Sequence, residues 1–147
     1  MNRFLVAGLG NEMRGDDAAG LLAVRALRAL HPRGVDVVEC SGDAAALAES
    51  MALYSRVVVV DAIASDKPSG TVLVLSPDDA TTRSSTSSHG LGLREALALA
   101  QTLGAHPSVS VFGIAGSQFR LGDAPSAGVV RAAAEVAVSI EEQLACA

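Results

Sequence analysis

Residues 56–62 read Arg-Val-Val-Val-Val-Asp-Ala, RVVVVDA. Four valines in a row leave no polar face, so a strand here must be covered on both sides, and β-branched side chains suit the extended backbone. A doubly covered strand belongs inside a parallel sheet with helices above and below it. The flanking sequence agrees. FLVAG at 4–8 is a short apolar run ended by Gly-Leu-Gly-Asn, the pattern of a buried strand entering a loop. A helix follows from Asp16 or Asp17 to about Leu30, with Leu21, Leu22, Val24, Leu27 and Leu30 on its apolar side, and Pro32 and Gly34 stop it. VDVVEC at 35–40 is a second strand and Ala44–Leu53 a second helix. TVLVL at 71–75 follows the valine strand with only a Lys67-Pro-Ser-Gly70 turn between them. The polar run TTRSSTSS, 81–88, reads as a mobile loop leading into a helix from about His89 to Leu103. SVSVFG at 108–113 is the fifth strand, and Pro125–Leu144 the last helix.

The order β-α-β-α-β-β-α-β-α predicts a three-layer α/β/α sandwich. Its sheet has about five strands, mostly parallel. The strand at 71–75 lacks a crossover helix before it and is expected to run antiparallel at an edge. The 147 residues make one domain, 1–147. Half of them are apolar but only 3% aromatic, so the core is built from alanine and branched aliphatics. Low charge and high hydrophobicity exclude disorder. No apolar run approaches the ~18 residues that cross a bilayer, and the run at 4–8 is too short for a signal peptide, so we expect a cytoplasmic protein without membrane contact. The net charge of −5 and singly scattered basic residues argue against nucleic acid as a partner. Cys40 and Cys146 have no ligand spacing and read as free thiols.

In open α/β sheets, ligands bind beyond the carboxyl ends of the parallel strands. Three reactive side chains reach that edge: Asp17 after the first loop with Asp16 beside it, Asp61 at the end of the valine run, and His89 where the Ser-rich loop meets a helix. Two carboxylates and an imidazole suit Zn²⁺, Ni²⁺, Co²⁺ or Fe²⁺ and leave coordination positions open. Each also has a structural reading. One of Asp16 and Asp17 is expected to cap the helix it opens, Asp61 can cap a turn, and His89 can be an exposed polar residue. Gly8-x-Gly10 offers a dinucleotide site with Glu39 as the ribose acid, but Met13 stands where the third glycine belongs. Asp16 and Asp17 would also meet the pyrophosphate at the helix start, each repelling it by roughly 4 kcal/mol at about 4 Å and an effective dielectric near 20. His31 sits at a helix C-terminus, His106 in a surface loop. Cys40 reads as a small buried hydrophobe near the active edge and Cys146 as part of the tail. Met13 and Leu9 read as an apolar rim for a substrate or as core.

VAGLGNEMRGDDAAG, 6–20, resembles the opening signature of the nickel-iron hydrogenase maturation endopeptidases, with Gly8, Gly10, Asn11, Gly15, Asp16, Asp17 and Gly20 in order. VVVVDA ending in the Asp61 segment, SSHGLGLREALALA at 87–100 and VFGIAG at 111–116 continue the likeness along nearly the whole chain. It differs at Ser41-Gly42-Asp43, where the family often has Gly-Gly, at Gly113-Ile114-Ala115-Gly116, commonly Gly-Ile-Gln-Pro, and at Ala18, frequently Gly. The resemblance implies a metal-dependent endopeptidase in which Asp17, Asp61 and His89 are both catalytic residues and metal ligands. Its implied partner is the hydrogenase large-subunit precursor, whose C-terminal extension is removed once nickel is inserted. Two routes follow. Either the trio holds a metal, zinc or another divalent ion, that polarises the scissile carbonyl and lowers the pKa of a water towards 7, or it completes the coordination of nickel delivered within the substrate. Asp16 would support the site or handle a proton. A monomer fits the small acidic chain. The alternative is a non-hydrolytic nickel-sensing or chaperone module built on the same trio.

Overall fold

A computed structural model describes the backbone of residues 3–41, 43–83 and 87–146, and the side chains of the same residues outside 81–92. The strands are β1 Phe4–Leu9, β2 Val35–Cys40, β3 Arg56–Ala64, β4 Val72–Leu75 and β5 Ser108–Gly116. The helices are α1 Ala19–Ala29, α2 Ala44–Ala52, α3 Pro77–Arg83, α4 Ser87–Thr102 and α5 Ala127–Ala145. The sheet has five strands in the order β2-β1-β3-β5-β4. β1 pairs in parallel with β2 and β3, and β3 with β5, while β4 lies antiparallel against β5 at the edge. The expected sandwich and its antiparallel edge strand are therefore present.

The valine run explains how the layers divide. Successive side chains of a strand point to opposite faces. Val58 and Val60 join Val6, Ile114, Leu27 and Val136 under α1 and α5. Val57 and Val59 join Leu5, Leu47, Met51, Leu93 and Val111 under α2 and α4. All four valines are fully buried, each contributing roughly 1.5–3 kcal/mol against leaving it exposed. Among the described residues no helix is long and apolar enough to cross a membrane.

Three expectations are corrected. The run at 81–88 is not a loop throughout, because residues up to Arg83 belong to α3 and α4 begins at Ser87; residues 84–86 lie outside the described residues. α3 starts where Ser76 Oγ accepts the Asp79 amide at 3.2 Å and Pro77 takes the first helical position, which needs no N–H donor. The first helix does not open at Asp16 or Asp17. Those residues form a 3-10 turn, Gly15–Ala18, and α1 starts only at Ala19. β3 and β5 also outrun their expected ends, pairing from Asp61↔Gly113 to Ala64↔Gly116. His31 lies just past the end of α1 with φ at 52°, its amide on the Arg28 carbonyl at 3.1 Å, so it closes the helix through its backbone.

The start of α1 is pressed against the sheet. An added Cβ at Gly20 would fall 2.2 Å from the Val60 carbonyl oxygen and 2.3 Å from that of Leu9, and one at Gly8 would fall 2.3 Å from the Gly20 carbonyl oxygen. All of these neighbours are backbone, which cannot move aside cheaply. Gly20→Ala is expected to destabilise the fold by about 3 kcal/mol, the upper range for overpacking, as a lower midpoint in urea unfolding. A midpoint equal to wild type would show that α1 can lift off the sheet freely.

Candidate functional site

Asp61 follows the four valines on β3, one residue beyond the last β1 partner, Gly8↔Val60. By strand alternation it shares the α2–α4 face with Val57 and Val59. Its side chain is 6% exposed, and its Oδ1 accepts the Ala62 amide at 2.8 Å. Asp17 comes to the same edge from the 3-10 turn that follows β1, and is 1% exposed. The Asp17 carbonyl accepts the Asn11 amide at 3.3 Å, which ties the β1 loop back on the turn. α4 leads into β5 from the amino end of the strands, so its first turn, which carries residue 89, lies towards the carboxyl edge. The backbone of His89 thus stands in α4, and its side chain lies outside the described residues. The structure brings Asp17 and Asp61 to one edge. Among the described residues no group of three His, Cys, Asp or Glu side chains is placed to hold a metal. The donors described there are buried carboxylate oxygens, which suit a divalent cation.

Asp16 has a role that the sequence did not disclose. It is fully buried. Its Oδ2 accepts the amides of Ser117 at 2.8 Å and Gln118 at 3.0 Å, and its Oδ1 accepts the Ser126 amide at 2.7 Å and hydroxyl at 2.9 Å. Asp16 does not cap the first helix, since it lies inside the 3-10 turn and its oxygens go to residues 117, 118 and 126. Asp16 instead fastens that turn to the connection between β5 and α5. Gly116 gives it room, for a Cβ there would lie 2.6 Å from the Asp16 Cβ. Burial alone would raise the Asp16 pKa. The amides of Ser117, Ser126 and Gln118 and the Ser126 hydroxyl outweigh it and hold the carboxyl below the ordinary carboxylate value.

Beside this cluster, Arg25 is clamped by Glu39 at 2.8 Å and Glu12 at 3.1 Å, and Arg28 holds Glu39 at 3.1 Å. These bonds keep the Glu39 pKa below its ordinary value. Glu39 is thus committed to two guanidinium groups rather than offered to a ribose. Cys40 is half-buried and its thiol pKa is raised, first by burial and then by the nearby Asp43 carboxylate. Leu9 is core, whereas Met13 is 61% exposed. His106 and Cys146 are on the surface. Ser117, Gln118 and Ser126 were not anticipated as part of the site. Only Ser126, directly before a helix, carried a readable signal, as its N-cap.

Residues 22–142 match the family model described as hydrogenase maturation protease. No curated protein sequence matches the chain. Among solved structures, a [NiFe] hydrogenase maturation protease HycI from Thermococcus kodakarensis KOD1 superposes with a TM-score of 0.81 at 26% identity, covering 98% of this chain and 93% of that one. A [NiFe] hydrogenase maturation protease HybD from Thermococcus kodakarensis is 33% identical, with a TM-score of 0.74 over 97% of this chain and 99% of that one. The hydrogenase maturating endopeptidase HybD from E. coli shares the fold, with a TM-score of 0.78 at 23% identity over 96% of this chain and 93% of that one.

Asp16→Ala removes the acceptor of three part-buried amides and a hydroxyl and is expected to cost about 3 kcal/mol in unfolding free energy. Because the native pKa is depressed, the stabilisation from Asp16 is present above the unfolded-state pKa and lost as pH falls through the folded value. In an acid titration of stability, wild type should therefore lose part of its advantage over Asp16→Asn below about pH 4. A gap between the two that stays constant through that range would remove the carboxylate from the account.

Proposed function

Because the chain belongs to the hydrogenase maturation protease family, we propose that it is the endopeptidase that removes the C-terminal extension of a nickel-iron hydrogenase large-subunit precursor. The observation that carries this reading is the pair of buried carboxylates, Asp17 and Asp61, at the carboxyl edge of a sheet whose relatives are maturation proteases. With His89 they form the trio that meets the nickel borne by the precursor. Bound there, the cation supplies Lewis acidity towards the scissile carbonyl. The residues of this chain do the rest. Asp17 and Asp61 present oxygen donors from two separate elements, the 3-10 turn and β3. Asp16 keeps the first of these in place, so the backbone that carries Asp17 is already set when the precursor docks.

Recognition through a metal already seated in the substrate explains how a chain of 147 residues can be selective. The peptide need not be read residue by residue if the cation marks the finished precursor. A resident zinc or other divalent ion is the second route, and calorimetric titration of wild type and His89→Ala separates the two: metal uptake by the free chain that vanishes in the variant favours the resident ion. The proposal has the chain act in the cytoplasm as a monomer.

Incubated with nickel-loaded precursor, the purified chain should release the C-terminal peptide, read by mass spectrometry. Asp17→Asn, Asp61→Asn and His89→Ala should each lower the rate at least ~100-fold, as loss of an electrostatic or metal-binding group does. Undiminished cleavage in all three variants would overturn the trio. Precursor binding without any cleavage by wild type would favour the nickel-sensing module instead.

A further inference from the structure

A groove of about 390 Å³ opens on the carboxyl edge between the β1 loop and the end of β2. Met13, Leu21 and Cys40 give it apolar wall, and Asn11, Glu12 and Arg25 give it polar wall. It adjoins the candidate site through the backbone, since the Gly10 amide holds the Cys40 carbonyl at 3.1 Å and the next amide, that of Asn11, holds the Asp17 carbonyl. β2 is an edge strand, so the groove runs out to the side of the molecule.

Met13 is the conspicuous member. Its side chain is 61% exposed, yet its backbone is pinned on both sides. Its amide is held by Asn11 Oδ1 at 2.9 Å, and its carbonyl accepts the Gly122 amide at 2.7 Å. An exposed thioether on a fixed turn is a preorganised apolar contact, and methionine adapts to varied surfaces. The charges in the groove argue against an anionic ligand: Arg25, the cation among its lining residues, is already clamped between Glu12 and Glu39. The bond from the Asn11 amide to the Asp17 carbonyl sets this loop directly beside Asp17, so the groove is continuous with the candidate site.

We propose that this groove is the subsite that receives the precursor's polypeptide next to the scissile bond, with Met13 as its apolar anchor. The inference rests on the protease reading above and names how that substrate is held. It is tested by measuring binding of nickel-loaded precursor to immobilised wild type, Met13→Asp, Met13→Leu and Leu53→Asp. Leu53 is a control, 63% exposed at the end of α2, on the opposite edge of the molecule. Met13→Asp should weaken binding about tenfold, the effect of a modest interface anchor, while Met13→Leu and Leu53→Asp stay within about twofold of wild type. Thermal melts matching wild type show that the variants are folded, as expected for exposed positions. Equal binding by Met13→Asp and wild type, an equal loss in Leu53→Asp, or no binding by wild type would each overturn the subsite. Release of the C-terminal peptide is read separately: Met13-dependent binding without cleavage by wild type would overturn the protease reading and leave the groove standing.

Discussion

The carboxylate of Asp16 is the constraint on which the edge of the molecule depends. Two irregular segments meet there, residues 10–18 and 116–126, and the first carries the buried turn 15–18, whose polar groups must find partners. Asp16 takes three amides and a hydroxyl from the second segment. The backbone adds to it. The Asp16 amide reaches the Gln118 carbonyl, the Gly15 amide that of Asp123, the Gly122 amide that of Met13, and Arg14 Nε that of Phe119. The two segments are thereby knitted into a small platform beyond the strand ends. Asp17 is the next residue on that platform, so its position follows from the bonds of its neighbour.

The fold also sorts charge by polarity. Strands that run parallel with helical crossovers put helix N-termini at the carboxyl edge and helix C-termini at the amino edge. Acids collect at the first: Asp16 on the Ser126 amide at the head of α5, and Asp43 on the amides of Ala45 and Ala46 at the head of α2. Basic groups collect at the second. Arg3, Arg33 and Arg56 line a cavity of about 600 Å³ together with Leu144, near the end of α5. Arg56 stacks on Phe4 and Arg3 on Tyr54, so these guanidinium groups have structural work beside the negative helix ends.

Most of the architecture was legible because it rests on local signals. The valine run at 57–60 implied two covered faces, and the two hydrophobic clusters divide its side chains in that way. The missing crossover before residues 71–75 implied an antiparallel edge strand, and β4 is one. The signal for α3 was present but passed over: Ser76-Pro77-Asp78-Asp79 is a helix start, and the polar run behind it drew the reading towards a loop. The role of Asp16 was not legible at all. An aspartate at a helix start is expected to bond the amides just after it, and nothing local indicates that Ser117, Gln118 and Ser126 will take its oxygens instead. The joint placement of Asp17 and Asp61 was legible from topology alone, because one follows parallel strand β1 and the other lies in the carboxyl half of its parallel neighbour β3. For His89 the topology carries the backbone of α4 to that edge and no further.

The motif at 8–20 mixes two kinds of residue. Gly8 and Gly20 let α1 press on the sheet, and Asp16 fastens the edge, so these would be needed for any chemistry built on this fold. A match to them is evidence about the backbone first. Asp17 is different: its main chain is held by the Asn11 amide and by the bonds of the neighbouring Asp16, and it lies buried at the edge where Asp61 also lies. The family assignment does not lean on this motif, since the matched segment begins at residue 22 and still contains Asp61 and His89. The motif and the matched segment therefore point to one family through separate residues. Their meeting place, a turn from before residue 22 set against a strand from after it, is the edge on which the proposed cleavage site is built.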